Sequence, residues 1–174
     1  LDHYVLPDDD LAIAQVQGSL QRNFQGYSVQ LAEDLIGMGV SSISQVGGYY
    51  VQNERSLDDY YHQLERHELP IQRGYRLSEE DKLRRRVIME LICNMHLDTE
   101  DCGIPGDEGF WQHFRQEAAA LADMARDGLV EIDSGVIRVT ERGRPYLRNI
   151  CMVFDQYLRA PGEAANAPSY SAVL

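Results

Sequence analysis

Between Gly37 and Asn53 the chain reads GMGVSSISQVGGYYVQN. Val40, Ile43 and Val46 give this stretch the β-branched content of a buried strand. Gly37, Gly39, Gly47 and Gly48 bracket that strand on both sides. Ser41, Ser42 and Ser44 add hydroxyls that a plain core strand does not want, since a buried hydroxyl is costly without a hydrogen-bond partner. Glycine beside a strand marks either a tight turn or an unusually close approach by another backbone or a ligand. Two readings follow: a core strand with a turn at each end, or a strand end that holds a flat cofactor against its backbone.

On the N-terminal side, Pro7 followed by Asp8, Asp9 and Asp10 predicts a helix start, with acidic residues at the positive end of the helix dipole. Leu11, Ala14 and Leu20 form the apolar side of a short helix that ends near Gly18. RNFQGYSVQ, from Arg22 to Gln30, reads as a loop with an aromatic on each side of Gln25-Gly26. On the C-terminal side, Leu57, Tyr60, Tyr61 and Leu64 predict a helix from near Ser56 to near His67. Pro70 stops it, and Ile71 to Leu77 reads as a strand or an extended linker.

The second half has a cleaner period. Ser78 with Asp81 is a capping-box pattern, and Leu83, Val87, Leu91, Ile92 and Met95 then form one apolar stripe. A loop is expected from Asp98 to Gly109. Phe110, Phe114, Leu121 and Met124 predict another amphipathic helix, ended by Gly128. LVEI and VIRVT flank Asp133-Ser134-Gly135, a hairpin signal. Thr140 caps a last helix that carries Leu147, Ile150, Cys151, Phe154 and Leu158 on one face. Helices, a hairpin and a helix in that order read as a winged-helix-like module. The predicted class is mainly α (α+β), with 1–76 mixed and irregular, 77–160 the helical module, and 161–174 a flexible tail poor in large apolar residues.

At 174 residues, with 44% hydrophobic and 25% charged residues, the composition is that of an ordinary globular protein. The net charge of -12 argues against a nucleic-acid partner and weakly against anionic membranes. No apolar run approaches the roughly 20 residues of a spanning helix, and no signal peptide opens the chain, so a cytoplasmic protein is expected. Cys93, Cys102 and Cys151 match no zinc or iron–sulfur spacing. Cys93 and Cys151 read as small buried hydrophobes and Cys102 as an exposed thiol.

The basic run Lys82-Leu83-Arg84-Arg85-Arg86 faces Glu79, Glu80, Asp81 and Glu90 within one or two turns, so it reads as a solvated face with intrahelical ion pairs. No HxxxH, HExxH or GxSxG pattern occurs, and no catalytic or metal-ligating set is complete in this sequence. Leu1 in place of an initiating methionine raises the expectation of a fragment.

Several blocks, in order, resemble one family. They are DHYVLPDDDLAIAQ (Asp2 to Gln15), RNFQGY (Arg22 to Tyr27), the Gly37 to Asn53 stretch, LPIQRGYRLSEEDKLRRRVIMELICN (Leu69 to Asn94) and RNICMVFDQYL (Arg148 to Leu158). Together they look like the C-terminal part of the oxygen-independent coproporphyrinogen III oxidases, radical S-adenosylmethionine enzymes of haem biosynthesis. The resemblance implies that 1–76 are the C-terminal edge of a partial (β/α) barrel plus a linker. It implies S-adenosylmethionine and a [4Fe–4S] cluster held by a CxxxCxxC loop in the parent enzyme. Hydrogen removal from two propionates of coproporphyrinogen III, with loss of carbon dioxide, then gives protoporphyrinogen IX.

This sequence lacks the CxxxCxxC loop, so the fragment is expected to be inactive alone, to retain neither cofactor, and to depend on the missing N-terminal barrel. The resemblance assigns Ile43 to S-adenosylmethionine binding, where a branched aliphatic suits an adenosyl group; Ser42 and Ser44 are weaker candidates. Arg22, Gln25 and Tyr27 (with Asn23) form part of a substrate wall, or else tie their loop to the barrel. The alternatives to an enzyme fragment are a haem-chaperone relative with the same barrel and a free-standing winged-helix interaction module.

Overall fold

The computed structural model describes residues 4–30, 32, 34–104 and 109–158. The expected tail at 161–174 and part of the expected 98–109 loop lie outside them. The chain divides into two compact units, Leu1–Arg85 and Arg86–Leu174.

The first unit opens with helix α1 (Asp10–Val16), whose N-cap Asp9 accepts a hydrogen bond from the Leu11 amide. Where a loop was expected, strands β1 (Gln21–Asn23) and β2 (Gly26–Ser28) form a hairpin. Asn23 closes its turn by accepting from the amides of Gln25 and Gly26, a local bond that no hydrophobic pattern reveals.

The Gly37 to Asn53 stretch is two strands rather than one. Strand β3 (Ile43–Val46) turns through Gly47 and Gly48 into β4 (Tyr49–Asn53). Both glycines have positive φ, 53° and 83°, which is the backbone a two-residue hairpin of this hand requires. Ser44 is the buried residue of β3, while Val46 is exposed, so the expected apolar core strand is a half-buried one with a serine facing inward.

Helix α2 (Leu57–Glu65) follows, capped by Ser56 as its sequence predicts. Strand β5 (Ile71–Arg76) then completes an antiparallel sheet of order β3-β4-β5, with a bulge beside Gln52 and Asn53. The open edge of β3 is covered by the segment before it: Leu35 exchanges two backbone bonds with Gln45, and Asp34 accepts from the Gly47 amide.

Helix α3 (Glu79–Asn94) begins in a capping box. Ser78 Oγ accepts from the Asp81 amide, and the Asp81 carboxylate accepts from the amide and hydroxyl of Ser78. The boundary between the units falls within this helix. Its basic run is internally engaged, with Lys82 on Glu79, Arg84 on Glu80, Arg85 on the Gln45 side chain, and Arg86 on the Cys102 carbonyl.

In the second unit, an unforeseen strand β6 (His96–Asp98) follows α3. The predicted amphipathic helix is broken at Phe114 into α4 (Phe110–His113) and α5 (Arg115–Arg126), because Phe114 leaves helical geometry at ψ 37°. The hairpin forms as predicted, β7 (Val130–Asp133) and β8 (Val136–Val139), and β6 pairs with β8 to give the order β6-β8-β7. Thr140 Oγ1 accepts from the Gly143 amide and closes a turn into a short 3-10 segment containing Pro145. Helix α6 (Leu147–Met152) is shorter than expected, and Leu158 stands in a separate 3-10 turn, exposed.

The core of this unit is apolar. Val87, Leu91, Phe114, Leu121, Ile137, Ile150 and Phe154 are fully buried, and the Phe114 and Phe154 rings meet edge to face at 5.3 Å. The overall class is a mixture of helix and sheet, with more strand than the helix-dominated reading expects.

Cys93 and Cys151 are buried as predicted, but so is Cys102, at 2% exposure. Its Sγ donates to the Asp98 carbonyl, and Arg86 holds its carbonyl, so the loop folds the thiol inward. Burial pushes this thiol up to about 11, against the lowering influence of Arg86. Iodoacetamide at pH 8 should therefore leave Cys102 unmodified in the folded protein and label it after unfolding in urea; rapid native labelling would contradict the burial. Because the folded state holds the proton to higher pH, the thiol's contribution to stability is intact below its unfolded range near about 8.5. It falls as pH rises from there towards 11.

Candidate functional site

Side chains alternate along a strand, and directly paired residues share a face. The register of the three-stranded sheet therefore writes out its open face. Ile43 pairs with Gln52, and Gln52 with Arg73; Gln45 pairs with Tyr50, and Tyr50 with Tyr75. Over this face lies a cleft of about 320 Å³, lined by Ile43 from β3, Tyr50 and Gln52 from β4, Arg73, Gly74 and Tyr75 from β5, and Phe24 from the β1–β2 hairpin. Phe24 stands edge-on to Tyr50 with ring centroids 5.0 Å apart.

What aims Ile43 into this cleft is a set of polar bonds on the far side of β3. The Gly37 amide donates to Ser44 Oγ at 3.0 Å. The Asn53 side-chain amide donates to two carbonyls, Gly37 at 3.1 Å and Gly39 at 2.9 Å. The Gly39 amide in turn donates to the Tyr60 hydroxyl on α2. Ser44 and Asn53 are both buried, at 9% and 7% exposure. Gly37 lies so close to β3 that an added Cβ would sit 2.8 Å from the Ile43 carbonyl oxygen. The serines of this stretch thus have structural partners: Ser44 holds Gly37, and Ser42 donates to the Met38 carbonyl.

The charges over the cleft are arranged asymmetrically. The Arg85 guanidinium lies 5.9 Å from the Tyr50 ring centroid and donates to Gln45 Oε1 at 2.7 Å. Burial raises the Tyr50 phenol above its usual range, Arg85 opposes that rise, and Asp81 adds to it. Tyr50 is accordingly a neutral ring at physiological pH. Asp81 is turned away into its capping box and accepts from the Tyr75 hydroxyl at 3.3 Å. The arrangement offers apolar and aromatic walls with arginine as the charged component.

The other candidate residues lie on the β1–β2 hairpin. Arg22 and Tyr27 are cross-strand partners, and the guanidinium stacks 4.7 Å from the Tyr27 ring centroid. Gln25 is in the turn, exposed, its amide bonded to Asn23. The hairpin reaches the cleft through Phe24, whereas Arg22, Gln25 and Tyr27 are not among the cleft's lining residues. Phe24, Tyr50, Gln52, Arg73 and Tyr75 escape a reading of the sequence alone. Their signal is the period-two spacing of Tyr50 with Gln52 and of Arg73 with Tyr75, which has meaning only once the strands and their register are known.

Asn53→Ala should lower stability by about 1–3 kcal/mol, because it leaves the Gly37 and Gly39 carbonyls without their donor. Asn53→Asp should cost at least as much, since a carboxylate cannot donate to either oxygen. A urea midpoint unchanged in both variants would contradict the clamp.

Comparison with known proteins finds relatives along the whole chain. Residues 77–146 match the HemN C-terminal domain family. The chain is 45% identical over 174 residues to the oxygen-independent coproporphyrinogen III oxidase of Escherichia coli K12, covering 100% of this chain and 37% of that protein. It is 44% identical over 158 residues to the protein of the same name from Pseudomonas aeruginosa, covering 91% of this chain and 34% of that one. Among solved structures it resembles coproporphyrinogen III oxidase (HemN) from Escherichia coli, described as a radical SAM enzyme. There the TM-score is 0.85 at 46% identity, over 90% of this chain and 36% of the other. The chain thus spans little more than a third of the length of these relatives, at their C-terminal part.

Proposed function

We propose, for a chain that belongs to the oxygen-independent coproporphyrinogen III oxidase family, that it is the C-terminal part of an enzyme acting on coproporphyrinogen III. That enzyme oxidatively decarboxylates two propionates to vinyl groups and yields protoporphyrinogen IX. The observation that carries this reading is similarity along the whole chain, 45% identical to one such enzyme.

The residues of this chain do not fit a [4Fe–4S] cluster. Cys93, Cys102 and Cys151 are buried, and among the described residues no three His, Cys, Asp or Glu side chains gather as a metal-binding set. We place the cluster and its ligands in the N-terminal barrel of the parent enzyme, the principal partner proposed for this chain.

The Ile43 cleft does fit a share of S-adenosylmethionine. Ile43 would contact the adenosyl group, beside the Phe24 and Tyr50 rings. When bound, that cofactor supplies hydrogen abstraction. The role of the chain's own residues is to bind and orient. Ser44 and Asn53 hold the backbone so that Ile43 faces the cleft. Arg22, Gln25 and Tyr27 form a wall for the substrate's carboxylates, supported by the stacking of Arg22 on Tyr27.

The finer architecture belongs to the same proposal. Residues 1–76 are the edge of a partial (β/α) barrel with its linker. Residues 77–160 form a winged-helix-like module, supported by the order of α3, α5 and the β7–β8 hairpin. We place the enzyme in the cytoplasm, with neither nucleic acid nor membrane as a partner; among the described residues no helix is long and apolar enough to cross a membrane.

Anaerobic assay of the intact enzyme with S-adenosylmethionine, a reductant and coproporphyrinogen III should give protoporphyrinogen. Tight haem binding without turnover would overturn the proposal in favour of a haem-chaperone relative. In the same enzyme, Ile43→Asp should weaken S-adenosylmethionine binding about tenfold or more, as expected for a carboxylate placed in an apolar contact. Unchanged affinity in a folded variant would remove Ile43 from the site.

A further inference from the structure

We infer that Arg73 is the carboxylate anchor of the Ile43 cleft, taking an acid group whose apolar or flat body lies against Ile43, Phe24 and Tyr50. The identity of the ligand rests on the function proposed above; the anchor itself rests on geometry.

The first observation is how Arg73 is held. Its Nε donates to Gln52 Oε1 at 2.9 Å, across the β4–β5 pair. Gln52 cannot present its other end, because its Nε2 donates to the Ser41 carbonyl at 3.1 Å. The amide is thus fixed at both ends, and the guanidinium is fixed through one of its three nitrogens. What remains is the edge formed by the two Nη groups, the fork that receives a carboxylate in two parallel hydrogen bonds.

The second observation is what Arg73 lacks. Acidic residues outnumber basic ones by 28 to 16 in this chain. Arg66, Lys82, Arg84, Arg126 and Arg144 each have an acidic partner within ion-pair distance. Among the described residues Arg73, like Arg22 and Arg85, has none; what sets it apart is that it lines the cleft. A second guanidinium, that of Arg85, lies over the same face, 5.9 Å from the Tyr50 ring centroid. Asp81, which accepts from the Tyr75 hydroxyl, is also engaged by the amide and hydroxyl of Ser78. An arginine fixed by its Nε, with no ion pair among the described residues, is preorganised for an incoming carboxylate.

The third observation is size. A volume of about 320 Å³ is at the small end for ligand sites. It accommodates one five- or six-membered ring with a short acidic arm, not a whole tetrapyrrole. The cleft would therefore grip one edge of a larger acid, with a ring between Phe24 and Ile43 and the acid on Arg73. A propionate-bearing pyrrole has that chemistry, and so does the amino-acid end of a nucleoside cofactor.

Equilibrium titration of the full chain distinguishes these sources. The probes are coproporphyrin III, its tetramethyl ester, S-adenosylmethionine and 2-naphthoate, measured with the native chain and with Arg73→Gln and Arg73→Lys. Coproporphyrin III should bind about tenfold more weakly to Arg73→Gln, the scale of a lost charge-assisted pair. Arg73→Lys should recover part of the loss, and the ester should bind weakly and equally to all three.

If S-adenosylmethionine, rather than the porphyrin, loses affinity in Arg73→Gln, the anchor stands with the cofactor carboxylate as its ligand. If naphthoate alone binds and depends on Arg73, the anchor stands and the function proposed above falls. Equal affinities in the native chain and Arg73→Gln, or no binding of any probe, overturn the inference. Circular dichroism checks that each variant is folded. Should Arg73→Gln fail to fold, Gln52→Leu retains the charge and removes only its positioning; it should weaken coproporphyrin III about threefold, and an unchanged affinity there overturns the inference as well.

Discussion

The side-chain amide of Asn53 donates to the carbonyls of Gly37 and Gly39, and the first unit depends on those two bonds. This unit has little apolar core to fall back on. Its buried residues include Ala14, Leu20, Leu77 and Leu83, but the buried side chains of β3 and β4 are the polar Ser44 and Asn53. A buried amide is costly unless its donors are used, and here both are. The reward is geometric. With Gly37 and Gly39 held from behind by Asn53, Ser44 and Tyr60, β3 has one face packed against its own preceding loop. Its other face, carrying Ile43, is free to meet a ligand.

The same economy explains the hydroxyls in the stretch from Gly37 to Asn53. A strand packed on apolar neighbours has no use for Ser42 or Ser44. A strand that must keep a glycine loop at backbone distance needs hydrogen-bonding groups there, because a glycine loop brings peptide groups rather than methyls. The absence of a Cβ at Gly37 permits the approach, and the Ser44 hydroxyl receives the amide that the approach buries. Glycine and serine are two halves of one contact.

Legibility differs between the two units for a physical reason. In the second, the buried residues of α3, α5 and α6 recur at helical spacing, and Ser134-Gly135 marks the β7–β8 turn, so periodicity and caps reveal most of the fold. Strand β6 escapes because three residues, one of them buried, carry no period. Cys102 misleads because its polar neighbours suggest exposure, while Asp98 and Arg86 in fact fold its loop inward. In the first unit, β5 is exposed at all six positions and so shows no alternation of apolar and polar residues. Without β5 the register is unknown, and without the register Gln52 and Arg73 are unrelated polar residues. Ile43 is singled out by family resemblance; the face around it, from Phe24 to Tyr75, becomes visible only with the sheet.

Amide hydrogen exchange at Gly37 and Gly39 tests the clamp most directly, because each of these amides bonds to a side chain rather than to the ladder. The account predicts that both exchange as slowly as the amides of the β3–β4 ladder and lose that protection together in Asn53→Ala. Exchange at the rate of an exposed loop, with the ladder still protected, would contradict it.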